Sequence, residues 1–113
     1  MVVIEIVESL YEEIEKTFKK RSSEVFDLIE SVETSPHKGK ALGHVGPIVI
    51  KELRFEGFRF YFLTDGHKLK FSDEQGLQDL LMRFVRMSDK KDQQRIIDEI
   101  RNVLEKVGFH GFT

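Results

Sequence analysis

The chain has 113 residues, a length that fits one compact domain with a single small core. It contains ten Phe but no Trp and no Cys, so aromatic side chains are expected to fill the core, while disulfides and thiolate metal sites are excluded. No apolar run is long enough for a membrane span or a signal peptide, and we therefore expect a cytoplasmic protein that does not enter a membrane.

Charge is unevenly distributed along the chain, although the formal net charge is only −2. Residues 1–34 hold 9 acidic and 4 basic side chains, whereas residues 35–91 hold 7 acidic and 11 basic side chains. The middle segment therefore carries a net charge of +4. If this segment forms a sheet, one face of that sheet would present positive charge to a polyanion such as RNA.

The N-terminal third of the sequence predicts a strand followed by a helix hairpin. Residues 2–7 are rich in β-branched side chains, which suit a pleated strand. Apolar residues then recur at helical spacing from Ser9 to Phe18 and again from Val25 to Val32. The intervening segment, 19–23, is predicted to be a tight turn between two antiparallel helices.

The middle of the sequence predicts a loop and then a β-hairpin. Two prolines and three glycines favour a loop over residues 34–47. Two β-rich runs follow, Ile48–Phe55 and Phe58–Thr64, and the short link Glu56-Gly57 between them is typical of a hairpin turn. The sheet is therefore expected to form a meander.

The connection to the last part of the sheet contains a second turn signal. Asp65-Gly66 predicts a turn into a third strand at His67–Phe71, and Ser72–Gly76 is expected to be a polar loop. Residues 77–87 fit both a helix and a strand, and we favour a strand from about residue 80.

The C-terminal part predicts one more helix. Ser88 or Asp89 is expected to cap it, a continuous apolar stripe runs from Ile96 to Val107, and Gly108 is a suitable terminator. The tail, 109–113, either packs back on the domain or stays loose. The predicted fold is a single α+β domain over residues 1–113, in the order β-α-α-β-β-β(-β)-α. Its small, mostly antiparallel sheet packs against an N-terminal helix hairpin and a C-terminal helix.

The predicted strand over residues 58–64 carries the first candidate functional residues. Its alternation sends three phenylalanines to one face, expected to be core, and Arg59 and Tyr61 to the other. A guanidinium there would grip phosphate, and a phenol would stack on a base or exchange a proton. On the preceding strand, Lys51 and Arg54 lie on opposite faces, so at most one shares the Arg59 surface. The same side chains equally fit an exposed, ion-paired sheet face.

A second basic group stands where the last strand meets the last helix, at Arg83, Arg86, Lys90 and Lys91. Cations near a helix N-terminus oppose the helix dipole, so their presence suggests a bound anion unless Asp89 and Asp92 neutralise them. No metal site is expected. The glutamates at positions 5, 8, 12 and 15 fit a solvated helix face, and His37 and His44 are expected to be ordinary loop residues.

The order of these elements resembles the RelE/HigB superfamily of toxins from type II toxin–antitoxin systems. The segment 34–42 is similar to the "nP…gk.L" stretch of that family, and segment 50–62 resembles its "kLR…g.yRi.Y" strand pair. Segment 84–91 is similar to the HigB-like "F.KK" element that precedes a helix. The resemblance spans about residues 3 to 107.

The resemblance implies a metal-independent endoribonuclease that cuts messenger RNA on the ribosome and is neutralised by an antitoxin protein. By position, Arg54 and Arg59 would stabilise phosphate, Tyr61 would contact a base, and Lys90 and Lys91 would supply charge near the reacting phosphate. The residues expected to bind RNA are Lys51, Arg54, Arg83 and Arg86. The alternative is a noncatalytic RelE-fold module that binds a partner protein or forms a homodimer, because a shared fold does not fix function.

Overall fold

The computed structural model describes residues 2–71 and 80–113, and it places five strands and four α-helices in these residues. The strands are β1 (Val3–Ile6), β2 (Lys40–Val45), β3 (Ile48–Phe55), β4 (Phe58–Asp65) and β5 (Leu81–Ser88). The helices are α1 (Glu8–Phe18), α2 (Ser22–Glu30), α3 (Gly66–Phe71) and α4 (Gln93–Lys106). Short 3-10 turns follow α1 and α2 at Lys19–Arg21 and Ser31–Glu33.

All five strands form one sheet in the order β1-β5-β4-β3-β2. The contacts from β2 to β5 are antiparallel, and only β1 pairs in parallel, with Val3 opposite Leu81 and Ile6 opposite Phe84. The predicted α+β class is confirmed, with a mostly antiparallel sheet between an N-terminal helix hairpin and a C-terminal helix.

The two α-helices of the hairpin cover one face of the sheet. Tyr11 of α1 stacks on Phe26 of α2 at a centroid distance of 4.7 Å, so the chain folds back on itself between them. At the end of α1, the Phe18 ring lies within 5.9 Å of three phenylalanine rings on the sheet, Phe55, Phe58 and Phe60. The predicted phenylalanine face is therefore core, as expected from strand alternation.

Helix α4 covers the opposite face, which we expected to be open. Glu99 of α4 bonds Arg86 on β5, and Arg101 of α4 lies against Gly43 on β2, so the helix crosses the strands between them. As a result Tyr61 is fully buried and Arg59 is only 7% exposed. The open-face prediction is wrong because the apolar stripe of α4 must bury itself, and this face of the sheet is where it does so.

Two local predictions are also wrong. Residues 40–45 form an edge strand instead of a loop, with an irregularity between Ala41 and Gly43, because glycine is tolerated where an edge strand bulges. Residues 66–71 form a helix instead of a strand. The Asp65 carboxylate accepts hydrogen bonds from the backbone N–H groups of His67 and Lys68, at 3.0 and 3.2 Å, and so caps the helix.

The remaining predictions at the C-terminal end are mostly confirmed. A strand begins at Leu81, while the polar loop expected at 72–76 lies outside the described residues. Helix α4 begins at Gln93, later than expected, and the Asp89 carboxylate accepts a bond from the Asp92 N–H in the turn before it. At the other end Gly108, with φ of 101°, donates to the Val103 carbonyl oxygen and ends the helix.

The C-terminal tail packs on the domain through Phe112, which is 1% exposed. The Arg86 guanidinium lies 5.0 Å from the centroid of this ring, and Arg83 donates to the Phe112 carbonyl oxygen at 2.9 Å. The tail thus covers the arginines of β5 from the α4 side of the sheet.

We expect Phe112→Ala to lower the free energy of unfolding by about 3 kcal/mol, because truncation of a buried phenylalanine leaves a cavity. Denaturant unfolding measures this change. Val107→Ala is the control: Val107 is 71% exposed, and its truncation should change stability by less than about 0.5 kcal/mol. Equal effects of the two substitutions would show that the tail does not contribute to the core.

Candidate functional site

The register of the sheet gathers polar side chains next to the β3–β4 turn. Arg54 lies opposite Arg59, which in turn lies opposite Ser88 of β5. One row further along, Glu52 lies opposite Tyr61. Paired residues on neighbouring strands have Cβ atoms about 4.5–5.5 Å apart and share a face. We call these five residues the hairpin-end cluster: Glu52, Arg54, Arg59, Tyr61 and Ser88.

Glu52 is the buried carboxylate of the cluster, with 2% of its surface exposed. Its Oε1 atom accepts a hydrogen bond from Arg54 Nε at 3.0 Å, whereas its buried Oε2 atom has no partner. The Arg54 side chain is 56% exposed. The ion pair therefore joins a buried anion to a cation that stands at the protein surface.

Arg59 is the buried cation of the cluster. Its guanidinium donates to the Gly57 carbonyl oxygen at 2.7 Å, but its buried Nε has no acceptor. It also lies directly opposite Arg54, and like charges at opposed positions destabilise a sheet. A buried polar atom left without a partner costs about 1–3 kcal/mol. The cluster therefore holds two such atoms, on Glu52 and Arg59, at a cost to stability that the fold itself does not explain.

Tyr61 supplies a buried hydroxyl group that bonds the Ser88 Oγ at 2.7 Å. Burial raises the pKa of Tyr61 and the nearby Glu52 carboxylate adds to the rise, while the Ser88 bond and the two arginines of the cluster oppose it. The hydroxyl is therefore protonated at neutral pH and can act as a proton donor.

Only some of the basic residues predicted for the site join this cluster. Lys51 lies on the opposite face of the sheet, where its ammonium is 5.7 Å from the centroid of the Phe62 ring. Arg83 is ion-paired with Glu5, and Arg86 bonds Glu99 at 3.0 Å. The structure therefore separates Lys51 from Arg54 and Arg59, and it places Arg83 further along β5, opposite Leu63. Arg86 lies opposite Tyr61 on the face of the cluster, but Glu99 of α4 holds its guanidinium.

Lys90 and Lys91 lie close to the cluster along the chain. Both are exposed and follow Ser88 by two and three residues, so they stand at the same end of the sheet as Arg54 and Arg59. They precede α4 instead of entering its first turn as we expected, because the helix begins at Gln93. In the part of the chain that the structure describes, neither lysine forms an ion pair.

A cleft of about 390 Å³ reaches the cluster at Ser88. It lies between α1, the end of β5 and α4, and its charged lining residues are Glu13, Arg86, Asp89, Asp92, Arg95 and Glu99. Acidic residues outnumber basic ones here, and burial raises the pKa of Glu13 against the opposing effect of Arg86. The cleft is therefore an unfavourable site for a polyanion, whereas Arg54, Lys90 and Lys91 are exposed cations at this end of the sheet.

Glu52 is the functional candidate that sequence reasoning missed. It alternates with Arg54 along β3, and the two-residue turn at Glu56-Gly57 places it opposite Tyr61. Counting outward from that turn would have identified the pair. The surface exposure of each cluster residue could not have been obtained in the same way, since it depends on where α4 packs.

No family model, curated protein or solved structure matches the chain. Within residues 2–71 and 80–113, no group of three His, Asp or Glu side chains is placed to hold a metal ion. None of the helices described there is long and apolar enough to cross a membrane.

The raised pKa of Tyr61 predicts a loss of stability in alkali. Because the folded protein resists ionisation of this phenol, stability should be unaffected by Tyr61 below its ordinary pKa of 10.0 and should fall as pH rises above it. The chain has two tyrosines, so absorbance titration in a Tyr11→Phe background isolates Tyr61. Its midpoint should lie above 10.0, and Tyr61→Phe should remove this part of the alkaline destabilisation. A midpoint at or below 10.0 would contradict the buried hydroxyl.

Proposed function

We propose that the chain is a RelE/HigB-like toxin, a metal-independent endoribonuclease that cuts messenger RNA on the ribosome and is neutralised by an antitoxin. The observation that carries this proposal is the hairpin-end cluster. A buried carboxylate with an unpartnered oxygen shares one sheet face with two arginines and a protonated tyrosine hydroxyl. Acid–base groups next to cations are what cleavage of an RNA phosphodiester requires.

In the proposed reaction the RNA 2′-oxygen attacks the adjacent phosphorus, and the bond from phosphorus to the 5′-oxygen breaks. Glu52 accepts the proton of the 2′-hydroxyl. Arg54 and Arg59 stabilise the charge that builds on the phosphate oxygens. The 5′-oxygen takes a proton from the Ser88 hydroxyl, which the buried Tyr61 hydroxyl resupplies through their hydrogen bond, and Lys90 and Lys91 bind neighbouring phosphates. The base contact that the resemblance implied for Tyr61 is withdrawn, because its ring has no exposed surface.

Arg54 controls access to the buried carboxylate in this scheme. Its side chain is 56% exposed while the Glu52 side chain is 1% exposed, so an arriving phosphate meets the guanidinium first. The Arg54 guanidinium makes a single bond to Glu52, and a bidentate phosphate contact can replace it. Transfer of Arg54 from Glu52 to the phosphate frees the carboxylate at the moment substrate binds.

Glu52→Gln should lower the rate of RNA cleavage by about 100-fold or more, because the amide cannot accept the 2′-hydroxyl proton. Induction of the wild-type chain should arrest growth and produce cut transcripts, and the variant should relieve both effects. Transcript mapping and cleavage by the purified protein on programmed ribosomes measure the loss.

Arg54→Gln tests the exposed cation of the cluster, and Lys20→Gln is its matched control, because each variant removes one exposed positive charge. Arg54→Gln should reduce cleavage without unfolding the domain, and Lys20→Gln, outside the cluster, should leave it unchanged. Thermal unfolding of each variant verifies the fold. Normal growth with intact transcripts on induction of the wild-type chain would overturn the nuclease proposal in the host tested.

The second candidate is a noncatalytic RelE-fold module that binds a partner protein or a second copy of itself. The observation that favours it is that both arginines of β5 are paired with glutamates, Arg83 with Glu5 and Arg86 with Glu99, so their positive charge is neutralised. Stable association without any RNA cleavage, measured by light scattering and ribosome assays on the same preparation, would favour this function over the nuclease.

A further inference from the structure

A cavity lies on the face of the sheet opposite the hairpin-end cluster. It occupies about 530 Å³ between β2, β3, the loop before β2 and the start of α3. Val49, Ala41 and Leu69 form its apolar lining, His37 lies at the loop side, and Lys51 is its basic residue. We call it the lysine cavity. Its volume is in the range of about 300–1,000 Å³ that small-molecule sites occupy.

Lys51 is an unusual residue for such a position. It is 3% exposed, and its ammonium lies 5.7 Å from the centroid of the Phe62 ring, a cation–π contact. Within residues 2–71 and 80–113 it forms no ion pair with a carboxylate, and burial alone lowers its pKa. Lysine is almost never fully buried without a partner, since desolvation of the ammonium is costly. A ligand that supplies the missing counter-charge would remove this cost.

The walls of the cavity are fixed by two tight glycine contacts. A Cβ at Gly66 would lie 2.4 Å from Val49 Cγ2, so α3 begins in direct contact with β3. A Cβ at Gly39, which has φ of 97°, would lie 3.0 Å from the Glu52 carbonyl oxygen and 3.1 Å from the Phe62 ring. These two contacts hold the loop before β2 and the start of α3 against the sheet, and the cavity lies open to solvent between them.

We propose that the lysine cavity binds a small organic carboxylate with an apolar body. The carboxylate pairs with the Lys51 ammonium, and the apolar body contacts Ala41, Val49 and Leu69. A single buried cation within apolar walls matches one negative charge on a hydrophobic molecule. It does not match a nucleic acid, which carries a charge on every phosphate. The lysine cavity thus lies on the opposite face of the sheet from the hairpin-end cluster, and its proposed ligand differs in charge from RNA.

Octanoate is a suitable probe, with octanol as its uncharged counterpart. Titration calorimetry and NMR should show saturable binding of octanoate to the full chain. Lys51→Met keeps the side-chain length and removes the charge, so it should weaken octanoate binding by about 10- to 100-fold, the size of a lost charged hydrogen bond. Octanol should bind Lys51→Met at least as well as wild type. Lys20→Met, at an exposed position, should leave octanoate affinity unchanged.

A second variant keeps Lys51 and fills the space instead. Ala41 lies on the edge strand and lines the cavity, so Ala41→Phe should block octanoate without crowding the core. Failure of octanoate to bind the wild-type chain, or binding to Lys51→Met and Ala41→Phe that is as tight as binding to wild type, would overturn the proposal. Because neither variant touches the hairpin-end cluster, RNA cleavage by them reports on the proposed nuclease separately.

Lys51→Met should also raise the melting temperature by about 4 °C, since the substitution replaces a buried charge that no carboxylate of residues 2–71 and 80–113 pairs with by an apolar side chain of similar length. Octanoate should raise the melting temperature of wild type and leave that of Lys51→Met unchanged. A lysine retained for structural packing alone would give the opposite order: Lys51→Met would melt below wild type, and octanoate would shift neither protein.

Discussion

The two-residue turn between β3 and β4 sets the register on which the rest of the molecule depends. Glu56 and Gly57 both have positive φ, at 47° and 86°, as the twist of a tight hairpin requires. This turn places Phe55 opposite Phe58, and every later pair along the two strands follows. A shift by one residue would send the phenylalanines to the α4 side and the hairpin-end cluster into the helix hairpin. One local conformation thus specifies both the core and the proposed site.

Strand β4 lies between two helical layers, and this placement explains the character of the cluster. Its residues from Arg59 to Thr64 are all buried, on both faces of the strand. Water does not reach polar groups in such a position. Each group therefore either has a hydrogen-bond partner within the protein or has none. The Tyr61–Ser88 pair is satisfied, whereas Glu52 and Arg59 are satisfied only in part. Arg54 bonds the buried Glu52 carboxylate while more than half of its own side chain is exposed to solvent.

Much of the fold could be predicted from the sequence, because periodicity and turn chemistry act locally. The β3–β4 hairpin, the helix hairpin, the strand before α4 and the end of α4 at Gly108 are all where those rules place them. The errors have local causes too. The glycines in and beside residues 40–45 predicted a loop, but these residues form an edge strand that tolerates glycine. At residues 66–71 alternation predicted a strand, but the Asp65 cap begins a helix there.

The exposure of the candidate site was harder to predict. Alternation correctly separated Arg59 and Tyr61 from the phenylalanines, but it cannot tell whether a second layer covers their face. That depends on where the apolar stripe of α4 packs, which is a tertiary property. The ion pairs of Arg83 and Arg86 have the same origin, since Glu5 and Glu99 come from opposite ends of the chain. Ion pairs between residues that are distant in sequence therefore determine which of the predicted cations can still bind a phosphate.

The parallel pairing of β1 with β5 has a consequence for the order in which the chain folds. Val3 pairs with Leu81, so β1 has no sheet partner until β5 has been synthesised and has left the ribosome. Until then its β-branched side chains and its backbone hydrogen-bonding groups remain unpaired. Closing such a distant contact carries a large loop-closure entropy, which slows folding. The nascent protein therefore cannot complete this core, or assemble the Ser88 end of the cluster, before β5 has emerged from the ribosome.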